Sequence, residues 1–175
     1  MIKLSITALL LASSLTAGNL SFDSGMIKAH TEVFGDNTID PMVKKAQSRL
    51  SMDDKADSLH GVIEVNAAEL FSDNAKRDEH MHEVLESGAI PKISFDIKEM
   101  VAKGGDKYTL KGALSLHGVT KPISFEGSVS EAGGKVHIVA KSSLKMTDFG
   151  IKPIKMMFLT VRDQVDLNVD ISLKR

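Results

Sequence analysis

Val165-Asp166-Leu167-Asn168-Val169-Asp170-Ile171-Ser172-Leu173 alternates apolar and polar residues without a break. Successive side chains of an extended chain point to opposite faces. The stretch therefore buries Val165, Leu167, Val169, Ile171 and Leu173 and leaves the residues between them in water. The same two-residue period recurs upstream, in Ile93, Phe95 and Ile97 and again in Tyr108, Leu110, Leu114 and Leu116. Ile123, Phe125 and Val129 repeat it, and Val136, Ile138, Ala140, Leu144 and Met146 form a long set. Ile63, Val65 and Ala67 give a weaker example. Gly104-Gly105-Asp106, the Gly118 to Pro122 stretch and Gly133-Gly134 part neighbouring runs by a few residues, the spacing of antiparallel hairpins. Pro41, Pro91, Pro122 and Pro153 are expected where strands begin or loops run. Consecutive hairpins with one apolar face close into a barrel or stack as a sandwich. The fold class is all-β.

One segment has a different period. Ser72-Asp73-Asn74 offers helix N-cap side chains, Met81, Val84 and Leu85 recur at helical spacing, and Gly88 is a stop. A short helix over 75–87 is expected, packed by that narrow stripe over one end of the sheet. Between residues 35 and 58, where Pro41 interrupts a polar stretch, only a strand near Ser48 to Met52 is expected.

The first residues read as a leader. Lys3 gives a positive start, Leu4 to Leu15 an uncharged apolar run, and Thr16-Ala17-Gly18 the small residues of a signal-peptidase site. Residues 1–18 are expected to be a cleaved signal peptide and 19–175 the mature domain, with cleavage after Thr16 as the alternative. The chain contains no cysteine, which excludes a lipid-modified terminus. An exported chain without disulfides is commoner in a bacterial periplasm than in animal secretions.

Composition bounds the function. The 175 residues suggest a single domain, and a chain of this size buries roughly 70% of its unfolded surface without staples. Lys+Arg number 22 and Asp+Glu 23, for a net charge of −1; aromatic residues are 5% and Trp is absent. A nucleic-acid partner would call for a basic excess or a stacking surface, and neither is present. No run of 18 apolar residues exists, so the chain has no ordinary membrane span.

Motifs for chemistry are missing. Without cysteine there is no thiolate nucleophile, thiolate zinc site or iron–sulfur cluster. There is no Gly-x-Ser-x-Gly elbow, and Gly104-Gly105-Asp106-Lys107 lacks the spacing of a phosphate-cradling loop. His82-Glu83 is followed by Glu86 where a zinc protease needs a second His. His80 and His82 point about 200° apart on a helix and cannot share an ion. Asp78, His82 and Glu86 fall at i, i+4, i+8, a three-ligand stripe whose ordinary reading is a solvated helix face. No catalytic residue, cofactor or metal is assigned. The remaining idea is a cavity, because a barrel of about eight strands holds a small apolar ligand inside its wall. Phe95, Leu114, Leu116, Phe125 and Ile138 are the inward candidates, with Phe149 and the adaptable Met156-Met157-Phe158 near the last strand. The alternative is that these side chains fill a solid core.

Four patches resemble the YceI-like family of polyisoprenoid- or lipid-binding domains. Lys76-Arg77-Asp78-Glu79-His80-Met81 is similar to its Arg-Asp-x-His-Leu stretch, and Pro91-Lys92-Ile93-Ser94-Phe95 to its Pro-x-Ile-x-Phe strand start. Gly112 to Pro122, reading Gly-Ala-Leu-Ser-Leu-His-Gly-Val-Thr-Lys-Pro, resembles a characteristic strand and turn. Phe149-Gly150-Ile151, followed by Val161 to Val165, resembles the closing segment. The likeness covers about 60–173, while the family's Asp-x-x-His-Ser start and Gly-x-Phe strand are absent between Asn19 and Asp57. The resemblance implies an extended, lipocalin-like antiparallel barrel with a helix near one end, exported to the periplasm. Its pocket would hold an isoprenoid or other long amphiphile, and a homodimer is compatible with the family. The motif points to Arg77, Asp78 and His80 at the barrel mouth, as a structural ion pair and cap or as contacts to a polar head group. A carrier or store without catalysis is the first expectation. A ligand-free structural or stress-response module and a metal-dependent enzyme using Asp78, His82 and Glu86 are the alternatives.

Overall fold

The alternating C-terminal stretch is the strand that closes the molecule. In the computed structural model, residues 18–33, 37–153, 155–156 and 159–175 are described. In chain order the strands are β1 (Gly18–Val33), β2 (Asn37–Ile39), β3 (Met42–Val43), β4 (Gln47–Met52) and β5 (His60–Asn66). Helix α1 (Ala75–Val84) follows, then β6 (Lys92–Gly104), β7 (Lys107–Leu116), β8 (Val119–Ala132) and β9 (Lys135–Lys145). A single turn of 3-10 helix (Met146–Phe149), the short pair β10 (Lys155–Met156) and β11 (Leu159–Thr160), and β12 (Gln164–Lys174) complete the chain.

Neighbours along the sheet run β12-β9-β8-β7-β6-β5-β4-β1, and β1 returns to β12, so eight antiparallel strands form a closed barrel. Leu173 of β12 stands between Phe22 of β1 and Val136 of β9, and Leu167 between Ala29 and Ser142. The family resemblance and the alternation both led to this architecture, and the leader reading of residues 1–17 lies outside the described residues. Gly18 itself opens β1, paired with Met52.

The N-terminal wall is where the structure adds most. β4 matches the one strand expected before Asp57, but β1, the longest strand of the barrel, also lies there. Its alternation is broken by a bulge between Phe22 and Ser24. Leu20 and Phe22 face the core before the bulge, and Ile27, Ala29, Thr31 and Val33 after it, so the inward set changes parity. Gly25 at the bulge has φ +117°, and a Cβ there would lie 2.2 Å from the Asp170 carbonyl oxygen. β4 pairs with β1 only over Gly18–Leu20. Beyond that, residues 37–43 form a strap that takes β4's place beside β1, with Thr31 opposite Ile39 and Ile27 opposite Val43.

Two smaller expectations are corrected and a third is narrowed. Pro122 lies inside β8, opposite Ala113, because the turn is only His117-Gly118. Pairing of β8 with β9 begins at Glu126, so the proline occupies a stretch without a ladder on that side, where its missing N–H costs little. The helix ends at Val84, short of Gly88. It closes as a Schellman motif in which Ser87 donates to the His82 carbonyl and Glu86 to that of Glu83. Glu86, at φ +49°, holds the left-handed position usually given to glycine. Finally, the Ser72-Asp73-Asn74 cap resolves to Asn74, whose side chain accepts from the Arg77 N–H.

Candidate functional site

Burial along β12 changes from one end of the barrel to the other. Leu173 and Ile171 are 0% and 2% exposed, whereas Val169, Leu167 and Val165, inward on the same strand, are only half-buried. Leu20, Met52, Leu59 and Val136 join Leu173 in a solid end. At the other end the inward side chains pack less completely and leave a gap. A cavity of about 730 Å³ lies between them, within the usual range for small-molecule pockets.

Its wall is almost wholly apolar. Ile27, Ala29 and Val33 of β1 face Leu167 and Val169 of β12, and Ile63, Ile93, Leu110 and Leu144 complete the circuit. The ring of Phe95 lies over Gly112, where a Cβ would come within 2.8 Å of it. That clearance lets Phe95 reach Phe125 at 4.9 Å between centroids, inclined at 53°, a favourable tilted aromatic pair. Helix α1 covers the hollow end. It buries no residue completely: its apolar stripe, Met81, Val84 and Leu85, lines the cavity, and Val84 and Leu85 pack only partly buried against the core.

Phe95, Leu114, Leu116, Phe125 and Ile138 all lie on the cavity wall. Phe149 does not. It is 3% exposed in the turn after β9, where its carbonyl receives His117 Nδ1 at 3.2 Å, and Met146 and Ile151 on either side of it reach the cavity. Its apolar character alone could not separate core from wall. Met157 and Phe158 lie outside the described residues, and Met156 belongs to β10. The β1 and β12 residues of the wall were missed as site residues, although the β12 alternation was visible; periodicity gives the inward face but not whether that face is filled.

The motif on α1 splits in the same way. Arg77 and His80 line the cavity and Asp78 does not. The Asp78 carboxylate receives the Ser72 N–H at 2.9 Å and the Ser72 hydroxyl at 2.6 Å, tying the helix to the segment that leads into it. Arg77 donates from Nη1 to the Thr38 carbonyl at 2.9 Å and from Nη2 to Asp73 Oδ1 at 3.1 Å, which fastens α1 to the strap. His80 Nδ1 lies 3.3 Å from Glu83. The Asp78, His82 and Glu86 stripe does not converge: His82 Nε2 is 2.8 Å from the Leu70 carbonyl and Glu86 is 3.7 Å from His117. Among the described residues no three His, Asp or Glu side chains are grouped to hold a metal.

Charge adds to the backbone pairing that holds the strap to β1. His30 Nδ1 lies 2.7 Å from Asp40 Oδ1, and Lys28 Nζ 3.3 Å from the same oxygen. The hydrogen bond to Asp40 holds His30 above the ordinary histidine value, against a smaller effect of burial. Burial by itself would raise Asp40, but hydrogen bonds from His30, Thr38 and Lys28 together bring it below the usual carboxylate value. Because the folded His30 pKa is raised, the stability this pair contributes is fully present below the unfolded value of about 6.5 and is lost as pH rises through the folded value. An NMR titration of the His30 ring is expected to show a midpoint above about 6.5 that falls in Asp40→Asn. Equal midpoints in the two proteins would remove this account of the clamp.

Comparison with known proteins agrees with the geometry. The model of the YceI-like domain family matches residues 18–173. A UPF0312 protein of Vibrio campbellii is 33% identical over 111 residues, 58% of each chain. The UPF0312 protein YE1254 of Yersinia enterocolitica is 33% identical over 104 residues, 55% of this chain and 53% of its own. The chain thus matches little more than half the length of these relatives. Among solved structures, Burkholderia cenocepacia BcnA superposes with a TM-score of 0.75 at 16% identity, over 85% of this chain and 95% of that one. A polyisoprenoid binding domain from Saccharophagus degradans gives 0.65 at 11% identity, over 89% and 98%. At these identities the likeness is one of fold.

Proposed function

The chain belongs to the YceI-like domain family, and on that premise we propose that it is an exported carrier or store for a long-chain amphiphile, without catalysis. The observation that carries this reading is the graded burial along β12, in which one alternating stripe is sealed at one end and open to an apolar cavity at the other. A solid core would bury Val165, Leu167 and Val169 as fully as Leu173. The description of the Saccharophagus degradans neighbour as polyisoprenoid binding supports a prenyl chain as cargo, and a fatty chain satisfies the same wall.

The driving force is removal of the chain from water, about 0.8 kcal/mol per buried methylene before the costs of ordering. The wall supplies contact with almost no polar group to specify atoms along the chain. Phe95, Leu114, Leu116, Phe125 and Ile138 would hold the tail, and the polar end would lie near Arg77 and His80 under α1. Asp78 serves the helix in this reading, through Ser72. Lys3, the apolar run to Leu15 and the Thr16-Ala17-Gly18 site would direct the chain across the inner membrane, leaving residues 19–175 in the periplasm. The test is whether protein purified without detergent from its own cells carries an extractable amphiphile at one per chain; protein that is bare and takes up none on later challenge would defeat the reading.

A further inference from the structure

The cavity lining is divided by sign as well as by polarity. Among the described residues no Asp or Glu belongs to it, and its ionisable groups are His30, Lys76, Arg77 and His80. These sit on β1 and α1, at the hollow end. Building on the carrier reading, we propose that the ligand is an anionic amphiphile whose phosphate or carboxylate is held at that end by Lys76 and Arg77.

The neighbouring acids are turned to other work. Asp73 pairs with Arg77 from a position 86% exposed, where water weakens the pair. Asp78 is engaged by Ser72, Glu83 faces His80, and Glu86 faces His117. Glu79 is exposed. None of these carboxylates lines the cavity, so none would compete by direct contact for the place of an anion seated in it. Lys76 forms no ion pair among the described residues and lines the cavity from the first turn of α1. Arg77 uses two of its five N–H donors on Thr38 and Asp73, and those two contacts fix the guanidinium while leaving others to donate. Asn74, also in the lining, has its side-chain oxygen taken by the Arg77 N–H and keeps an NH₂ to offer. That end therefore presents donors and positive charge. A head group rich in acceptor oxygens is matched by it, and a neutral alcohol is not.

Phosphate and carboxylate heads share this chemistry, and chain-matched ligands separate them. The mature protein would be titrated with farnesyl monophosphate against farnesol, and with palmitate against hexadecanol. In at least one pair the anion is expected to bind about tenfold or more tightly than its alcohol, with the gap narrowing as salt is added. The pair showing the gap identifies the head. Lys76→Met, at an exposed position where folding is not at issue, is expected to shrink that gap by weakening binding of the anion, and a gap as wide as the parent's would overturn the part assigned to Lys76. Alcohols binding as tightly as their anions would overturn the head-group inference and leave the carrier intact. Binding of none of the four would overturn the carrier reading and this inference with it.

Discussion

Ala29→Phe is expected to weaken uptake of a long-chain amphiphile by about two orders of magnitude and to leave the fold at least as stable as before. Ala29 is a half-buried residue on β1, opposite Leu167, and its methyl faces the cavity. A phenyl ring there would occupy room otherwise taken by about four methylenes of the ligand, roughly 3 kcal/mol of binding or about two orders of magnitude in affinity. Its effect on stability separates a hollow barrel from a filled one. In a close-packed core an added ring forces neighbours off their rotamers and costs about 1–3 kcal/mol or more. Over an empty apolar volume the ring finds surface to cover and the cost is absent. A urea midpoint that stays or rises while binding weakens to that degree is the expected pair of results. A midpoint that falls with binding retained would mean that the ligand sits elsewhere and that the wall is packed.

The second large effect concerns closure of the barrel. Gly25→Ala would place a methyl 2.2 Å from the Asp170 carbonyl oxygen and 2.6 Å from the Ile171 Cα, at a φ of +117° that an L side chain resists. Backbone strain of about 1–3 kcal/mol and overpacking of about 1–3 kcal/mol add to roughly 2–6 kcal/mol. The stability of an ordinary domain is about 5–15 kcal/mol, so the variant is expected to unfold at much lower urea or to fail to accumulate. The seam at risk is β1 against β12, the joint that turns a curved sheet into a barrel. Gly88→Ala is the control, because a Cβ there meets nothing within 4 Å, and its midpoint is expected to stay near that of the parent. A Gly25→Ala protein as stable as Gly88→Ala would contradict the bulge geometry.

The two glycines also mark what a sequence can and cannot disclose. β6 to β9 and β12 were legible because each carries a long apolar stripe with glycine-rich turns between them. β1 carries such stripes too, in Leu20 and Phe22 and then in Ile27, Ala29, Thr31 and Val33, but the bulge at Phe22–Ser24 puts them out of phase. A strict two-residue period breaks at that point. β2 and β3, of three and two residues, are too short to show any period; what makes them strands is their pairing with β1. Pro122 misled in the opposite direction, since its tolerance depends on where β9 stops following β8.

The site was legible in part for a related reason. Alternation identified which face of Phe95, Leu114, Leu116, Phe125 and Ile138 turns inward, and all five lie on the cavity wall. It could not distinguish Leu173 from Leu167, one in the sealed end and one on the wall, because both lie on the inward face and the difference is whether that face is filled. Nor could local motif reading separate Asp78 from Arg77. They are adjacent in sequence, but one turns to Ser72 and the other to the cavity and the strap.

The most direct measurement is native mass spectrometry of the protein taken gently from its own cells, followed by organic extraction. One discrete added mass per chain is expected, surviving in the gas phase, released by organic solvent, and belonging to a molecule with a long apolar chain. Bare protein that also remains bare when offered such molecules would contradict the carrier reading, and would make the hollow end of the barrel something other than a place for a ligand.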